Sequence, residues 1–221
     1  MPGPDLRDDP RLPEAERDAA RSDLCRYLAA CYYEPGPEFA EERLFDSMVA
    51  AAARIDHGLA EIAARLGPAF ATSALQDLLV DYTRLFLGPA QALAQPYASV
   101  WLSGEQQVMQ GSTLDVQSLY AQGGFEIADD FRDLPDHVAA ELEFLYLLIN
   151  RGNEARWSGR SAEQAGFEAL ERRFLGEHLG RWVGPFLLAM HEGARTGFYE
   201  ALAELTERFV RLEATRYAGT A

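Results

Sequence analysis

Hydrophobic residues recur with helical spacing along most of the chain. In the most regular stripe, apolar side chains follow one another at i, i+3, i+4 and i+7, and shorter stripes with the same period lie on both sides of it. This stripe contains Leu75, Leu78, Leu79, Tyr82, Leu85 and Phe86. The sequence shows no sustained alternation of polar and β-branched residues, which would be typical of strands. The pattern therefore predicts an all-α fold of nine or ten helices.

Glycine and proline residues divide these stripes where helices are expected to end. Residues 35–37 separate the first two predicted helices. Residues 67–68 precede the fourth predicted helix, and residues 88–89 end it. Residues 123–124 end a later helix. Residues 87–100 form a connection that is longer than the packing of neighbouring helices requires. Residues 184–185 fall inside a helical pattern and predict a kink or a helix start.

An acidic segment, residues 125–134, separates the two halves of the helical pattern. The carboxylates in or beside it are Glu126, Asp129, Asp130, Asp133 and Asp136, against one arginine. A solvated loop explains this composition, and so does an electrostatic funnel for an arginine-bearing peptide. We predict that the segment is a hinge between helical subdomains of residues 21–124 and 135–221, after a polar tail of residues 1–20.

The chain is strongly acidic. Its 221 residues include 35 acidic and 20 basic side chains, which gives a net charge of −15. Such a surface repels phosphate backbones and attracts basic segments, so we expect no nucleic-acid partner. All the basic residues are Arg, and the lack of Lys excludes a Schiff-base lysine and a Walker-type phosphate loop.

Cysteine usage and hydropathy favour a cytoplasmic protein. Cys25 and Cys31 have a spacing that fits neither a zinc pair nor a disulfide framework, so we expect buried free thiols. Residues 1–21 contain no apolar core of the length that a signal peptide needs. The sequence also lacks an apolar run of about eighteen residues, so we expect no insertion into a membrane.

Two segments carry aromatic residues that suit either core packing or a partner. In residues 81–89, Tyr82, Leu85 and Phe86 share one helix face, which core packing alone would explain. In residues 96–105, Trp101 lies in a predicted loop. Near the surface such a side chain anchors peptides, whereas in the core it would fix the loop to the rest of the protein.

A third segment, residues 133–138, is predicted to start a helix. Asp133 is the predicted N-cap, Pro135 suits the first turn, and Asp136 meets the positive end of the helix dipole. His137 shares a helix face with Glu141 and lies where it could titrate near neutral pH or meet a ligand.

Two alternatives to a peptide-binding protein follow from the same residues. A small metal-dependent hydrolase could use His137 and Glu141, but it would need His178 or His191 as a further ligand. The other alternative is a helical scaffold or regulatory module without specificity for a leader peptide.

Residues 82–86 and 133–137 resemble two motifs of the TorD/DmsD/NarJ superfamily of redox-enzyme maturation chaperones. The first, Tyr-Thr-Arg-Leu-Phe, matches the aromatic-x-x-Leu-Phe motif of that family. The second, Asp-Leu-Pro-Asp-His, is similar to its acidic-Pro-x-Asp-His motif, with the proline one place later. The resemblance covers about residues 20–215.

The resemblance implies a non-enzymatic chaperone with an all-helical fold, two hinged subdomains, and a monomeric or domain-swapped dimeric state. Its partner would be the catalytic subunit of a molybdopterin-containing oxidoreductase of the DMSO reductase family. The chaperone would bind the twin-arginine leader, the apoprotein or both until the cofactor is inserted. It would itself hold no cofactor and no metal.

The peptide-binding candidates that the resemblance implies are Tyr82, Leu85, Phe86, Trp101, Asp136 and His137. Leu85, Phe86 and Trp101 would supply the apolar wall of a groove, and Asp136 its negative end. We therefore expect Asp136→Ala or His137→Ala to weaken leader binding while leaving helicity intact.

Overall fold

The computed structural model describes residues 12–88, 91–102, 111–127 and 133–217. The helices in these ranges are α1 (Leu12–Cys31), α2 (Glu38–Glu41), α3 (Leu44–Ile55), α4 (His57–Thr72), α5 (Leu75–Tyr82), α6 (Ala98–Leu102), α7 (Gly111–Gly123), α8 (Val138–Trp157), α9 (Ser161–Phe174), α10 (Gly180–Gly193) and α11 (Gly197–Thr215). Two π-helical turns, Thr83–Leu87 and Leu175–Leu179, directly continue α5 and α9. The described ranges contain no strand, so the all-α prediction is confirmed.

Several predicted helix ends are also confirmed. Residues 35–37 separate α1 from α2, and α7 ends at the 123–124 pair. Gly88 follows the first π-helical turn with a φ of 61°, and Gly124 follows α7 with a φ of 64°. Both values lie in the left-handed region that favours glycine, so these two residues allow the chain to leave the helix.

One predicted break is wrong, because a helix runs through it: Gly67 and Pro68 lie inside α4. Pro185 also lies inside a helix, α10, so residues 184–185 do not start one, and the kink expected there stays a prediction. Gly67 faces the Phe45 side chain, where an added Cβ would lie 3.3 Å from the Phe45 Cβ, so the glycine permits close packing of α3 on α4. The burial of Leu66 and Phe70 on either side outweighs the hydrogen bond that a proline removes.

The helices pack around one continuous hydrophobic core. Helix α1 contacts α8 and α3, while α4 contacts α11, so elements from both halves of the chain share the core. Phe45, Phe70 and Phe198 join α3, α4 and α11, with ring centroids 5.2–5.9 Å apart. The division into two subdomains stays a prediction, and residues 128–132 of the predicted hinge lie outside the described residues.

The two cysteines are free and buried, as predicted. Burial raises the pKa of both thiols, so they remain protonated at neutral pH. No helix among the described residues has the length and apolarity that crossing a membrane requires.

A buried cluster of charged side chains, which the sequence did not reveal, joins α1, α9 and α11. Arg21 is only 2% exposed. Its guanidinium donates hydrogen bonds to Asp18 (2.8 Å), Glu171 and Glu213. All three carboxylates are buried, so each depends on an arginine for compensation of its charge.

We predict that Arg21→Met lowers the free energy of unfolding by about 3–5 kcal/mol, because it leaves buried carboxylates without their cation. Urea unfolding followed by circular dichroism measures this loss. The control is Arg65→Met, which removes an ion pair with Glu204 in which both side chains are about half exposed. This control should cost less than about 1 kcal/mol. Equal losses in the two variants would contradict the structural role of the buried cluster.

Candidate functional site

The segment that carries the aromatic-x-x-Leu-Phe motif starts in α5 and ends in a π-helical turn. Leu85 and Phe86 are buried, and the Phe86 ring lies 6.1 Å from Tyr32 and 5.7 Å from Tyr199. Tyr82 is half-buried and stands edge-on to Phe86 at 5.3 Å. Two of these three candidate residues therefore belong to the core, and Tyr82 reaches the surface above them.

Asp81, immediately before the motif, fixes this segment to the α10–α11 loop. Its Oδ2 accepts hydrogen bonds from the backbone N–H groups of Arg195 (2.8 Å) and Thr196 (2.9 Å) at the start of α11. Its Oδ1 accepts a hydrogen bond from Arg84 at 2.8 Å. No local pattern indicates this role of Asp81, because the two partner segments are more than a hundred residues apart.

Asp136 joins the second motif to the start of α6. The residue is fully buried, and its Oδ2 accepts a hydrogen bond from the Ser99 N–H at 2.9 Å. Its backbone carbonyl accepts from the Ala98 N–H at 2.9 Å, while the Val138 N–H donates to the Pro96 carbonyl at 2.8 Å. The second oxygen, Oδ1, has no hydrogen-bond partner within the described part of the chain. Asp136 thus caps one helix through its side chain and forms a short antiparallel bridge through its neighbours.

The predicted start of helix α8 is wrong. His137 is the N-cap, in place of Asp133, and its Nδ1 accepts a hydrogen bond from the Ala139 N–H at 3.1 Å. The helix begins at Val138, so Pro135 lies before the first turn. The chain turns at residues 135–136, where the His137 N–H donates to the Leu134 carbonyl at 3.0 Å, and His137 then pairs with Tyr97. This long-range pairing outweighs the local preference of Asp133 for a cap.

His137 lies between two tyrosines. Its ring stacks on Tyr33 with a centroid distance of 6.3 Å and an angle of 13°, and it meets the Tyr97 ring at 5.3 Å and 70°. Burial lowers the pKa of His137 to about 4, although Asp133 and Asp136 act in the opposite direction. The imidazole is therefore neutral at pH 7 and contributes no charge.

Three half-buried tyrosines and three carboxylates lie around His137, and we call this group the acidic aromatic site. Its members are Tyr33, Tyr82, Tyr97, Glu34, Asp133 and Glu143. The Tyr97 hydroxyl donates to Asp133 Oδ1 at 2.6 Å, and the Tyr33 hydroxyl donates to Glu143 Oε1 at 3.2 Å. Burial, followed by the charges of Asp133 and Glu34, raises the pKa of Tyr82 to about 12, so these carboxylates lie within electrostatic range of it.

The carboxylates of the acidic aromatic site have no arginine partner among the residues that the structure describes. Asp133 and Glu34 are exposed, whereas Glu143 is half-buried and burial raises its pKa. Elsewhere the chain pairs its acids with arginine, as at Asp18 and Asp56. The site is therefore a negatively charged surface with aromatic walls, which suits a cationic ligand.

Trp101 is not a member of the acidic aromatic site. Its indole Nε1 donates to the Gln95 carbonyl at 2.8 Å, and its ring lies 6.3 Å from Phe186 of α10. The half-buried side chain thus holds the segment before α6 against the core. Of the six candidate residues, the structure brings Tyr82, Asp136 and His137 to the acidic aromatic site or directly beneath it.

Glu141 does not act together with His137. Its carboxylate accepts hydrogen bonds from His178 Nε2 at 2.7 Å and from Trp182 Nε1 at 2.9 Å. His178 lines a cavity of about 550 Å³ between α7 and the α9–α10 segment. Residues 12–88, 91–102, 111–127 and 133–217 contain no group of three or more side chains that could hold a metal ion. The geometry gives no support to a hydrolase that uses His137 and Glu141.

The family model described as "Nitrate reductase delta subunit" matches residues 52–187, which is more than half of the chain. The chain belongs to this family. The predicted resemblance to the TorD/DmsD/NarJ superfamily is thereby confirmed. The matched range includes α5, the bridge and α8, but Tyr33 and Glu34 lie outside it.

Relatives of this family member carry the name "Chaperone protein TorD". The protein from Vibrio atlanticus (strain LGP32) is 28% identical over 143 residues, and that from Aliivibrio salmonicida (strain LFI1238) is 29% identical over 143 residues. Each alignment covers 65% of this chain and 65% of the relative, so the chain spans just under two thirds of the length of these proteins.

A solved structure shows the same fold. It was described as that of a candidate redox enzyme maturation protein from Archaeoglobus fulgidus. The match has a TM-score of 0.53 and 21% sequence identity, and it covers 88% of this chain and 93% of the other. At this identity the likeness concerns the fold alone.

We predict that His137→Asn reduces the pH dependence of the free energy of unfolding below about pH 6.5. A buried neutral His destabilises the folded state as the pH falls from about 6.5 to about 4, because the unfolded state binds a proton that the folded state does not. Over this interval the free energy of unfolding of the wild type should fall by about 3 kcal/mol more than that of the variant. The variant does not carry the titrating imidazole, and its Asn side chain can still cap α8. Urea unfolding at a series of pH values measures the difference.

The exposed His57→Asn variant is the control and should follow the wild-type profile. The same pH dependence in His137→Asn and in the wild type would contradict the neutral, buried state of His137.

Proposed function

We propose that the chain is a non-enzymatic cytoplasmic chaperone for a molybdopterin-containing oxidoreductase of the DMSO reductase family. In this proposal it binds the twin-arginine leader, the apoprotein or both, and it assists insertion of the cofactor before export or assembly. The family membership and the chaperone names of its relatives support this function. The chain acts as a monomer or a domain-swapped homodimer and needs no cofactor of its own.

The observation that carries the proposal is the acidic aromatic site. Its three carboxylates have no arginine partner in the described ranges, and three tyrosine rings stand beside them. A guanidinium group donates paired hydrogen bonds to a carboxylate and stacks on aromatic rings, so this combination suits arginine better than lysine. A net charge of −15 attracts such a basic peptide and opposes binding to nucleic acid.

Exposed apolar side chains on and beside the segment that carries Tyr82 suit the hydrophobic stretch that follows the arginines of a leader. Val80 and Leu87 are exposed on the same helical segment as Tyr82. Leu93 is also exposed, and its N–H donates to the Arg84 carbonyl at 3.2 Å, which places this part of the loop alongside the π-helical turn. A peptide that binds along this segment can therefore meet apolar side chains as well as the carboxylates near Tyr82.

The candidate residues take different roles in this proposal. Tyr82 contacts the leader, whereas Asp136 and His137 position the tyrosines and helix ends around it. Leu85 and Phe86 support Tyr82 from the core, and Trp101 holds the segment before α6. Because Asp136 is a buried cap, we now expect Asp136→Ala to lower stability as well as leader binding, so exposed residues give a clearer test.

We predict micromolar binding of a twin-arginine leader from the client enzyme, equivalent to about −8 kcal/mol. Replacement of its Arg-Arg pair by Gln-Gln should weaken binding at least about tenfold, because the charge-assisted hydrogen bonds are lost. Isothermal titration calorimetry with both peptides measures the difference. Equal affinity for the two peptides would contradict the proposed role of the acidic aromatic site.

We predict that Leu87→Ser weakens binding of the same leader about fivefold to tenfold, because the peptide no longer covers an apolar side chain. Leu188→Ser on α10 is a matched control, since Leu87 and Leu188 are both 59% exposed. The control should bind as the wild type does. Leu188 lines a cavity between α10 and α11. A larger effect of Leu188→Ser than of Leu87→Ser would instead place the apolar part of the leader in that cavity.

A further inference from the structure

The acidic aromatic site contains two tyrosine–carboxylate pairs built from separate parts of the chain. Tyr33 follows α1 and donates to Glu143 of α8 at 3.2 Å. Tyr97 precedes α6 and donates to Asp133, which lies before α8, at 2.6 Å. Each hydrogen bond orients one carboxylate in the free protein. A carboxylate has about four acceptor positions, so a single tyrosine hydroxyl leaves room for a guanidinium.

His137 contacts the tyrosine of each pair. The imidazole stacks on Tyr33 with a centroid distance of 6.3 Å and meets the Tyr97 ring at 5.3 Å, so the two tyrosine rings are at most about 12 Å apart. The buried imidazole is neutral at pH 7 and does not repel a cation on either side. It therefore adds no positive charge that would compete with a guanidinium at either carboxylate.

This spacing suits two consecutive arginines in an extended peptide. Neighbouring Cα atoms are about 3.8 Å apart, and successive side chains point in opposite directions. Two guanidinium groups therefore diverge, and each can meet one of the two carboxylates. A single shared carboxylate would instead force the two cations together.

The buried carboxylate of Asp136 favours the same ligand. Its charge acts on both Tyr97 and His137, and its Oδ1 is buried without a hydrogen-bond partner in the described ranges. This negative charge beneath the site adds to the attraction that Asp133 and Glu143 exert on a cation.

We propose that Asp133 with Tyr97 and Glu143 with Tyr33 form two separate arginine subsites, each of which binds one residue of a twin-arginine pair. This inference rests on the proposed function, since it divides the two arginines of the leader between two named carboxylates. Each tyrosine orients its carboxylate in the free protein and offers its ring to the bound guanidinium.

The test combines two protein variants with single substitutions in the leader. Asp133→Asn and Glu143→Gln remove one charge each but retain an oxygen that accepts the tyrosine hydroxyl. Each variant is titrated calorimetrically with the Arg-Arg leader and with peptides in which only the first or only the second arginine is Gln. Glu61→Gln, an exposed acid on α4, is the matched control and should bind as the wild type does.

Each variant should weaken binding of the Arg-Arg leader about tenfold. Asp133→Asn should not weaken the affinity further for the peptide that already lacks the arginine bound by Asp133. For the other single-substitution peptide it should weaken the affinity by the same factor, about tenfold. Glu143→Gln should show the reciprocal pattern.

Coupling of both carboxylates to the same arginine, or no effect of either variant, would overturn the two subsites while leaving the proposed function intact. A wild-type protein that does not distinguish Arg-Arg from Gln-Gln would overturn the proposed function and the subsites together. Unchanged circular dichroism spectra and urea midpoints verify that both variants fold as the wild type does.

Discussion

The antiparallel bridge between Tyr97 and His137 is the contact on which the site depends. Two backbone hydrogen bonds join residues 96–98 to residues 136–138, and the Asp136 side chain adds a third to Ser99. The bridge fixes the first residues of both α6 and α8. It also brings Tyr97 beside His137, whose ring stacks on Tyr33. Without this pairing, Tyr97 and Asp133 would not be held beside Tyr33 and Glu143.

Buried charges elsewhere hold the supporting helices in place. Asp81 connects α5 to the start of α11, and Arg21 connects α1 to α9 and α11. These groups are compensated, whereas the carboxylates around Tyr33, Tyr82 and Tyr97 have no arginine among the described residues. The contrast separates charges that stabilise the fold from charges that remain available to a partner.

The sequence predicted the helices well, because apolar periodicity reflects which face is buried. The face of Tyr82, Leu85 and Phe86 is an example, since two of its members are in the core as packing alone would require. Long-range contacts were not predictable. Tyr33 and Glu143 are 110 residues apart, and Arg21 and Glu213 are 192 apart, so no local pattern connects them. The prediction that Asp133 caps α8 was wrong for the same reason, because the bridge to residues 96–98 determines where α8 begins.

The proposed function requires a twin-arginine leader to bind at the acidic aromatic site. The most direct measurement is NMR of the protein with isotope-labelled tyrosine rings during titration with the leader. The ring signals of Tyr33, Tyr82 and Tyr97 should shift with the Arg-Arg peptide, while that of Tyr217 should stay unchanged. Shifts confined to tyrosines outside the site, or equal shifts with the Gln-Gln peptide, would contradict the proposed function.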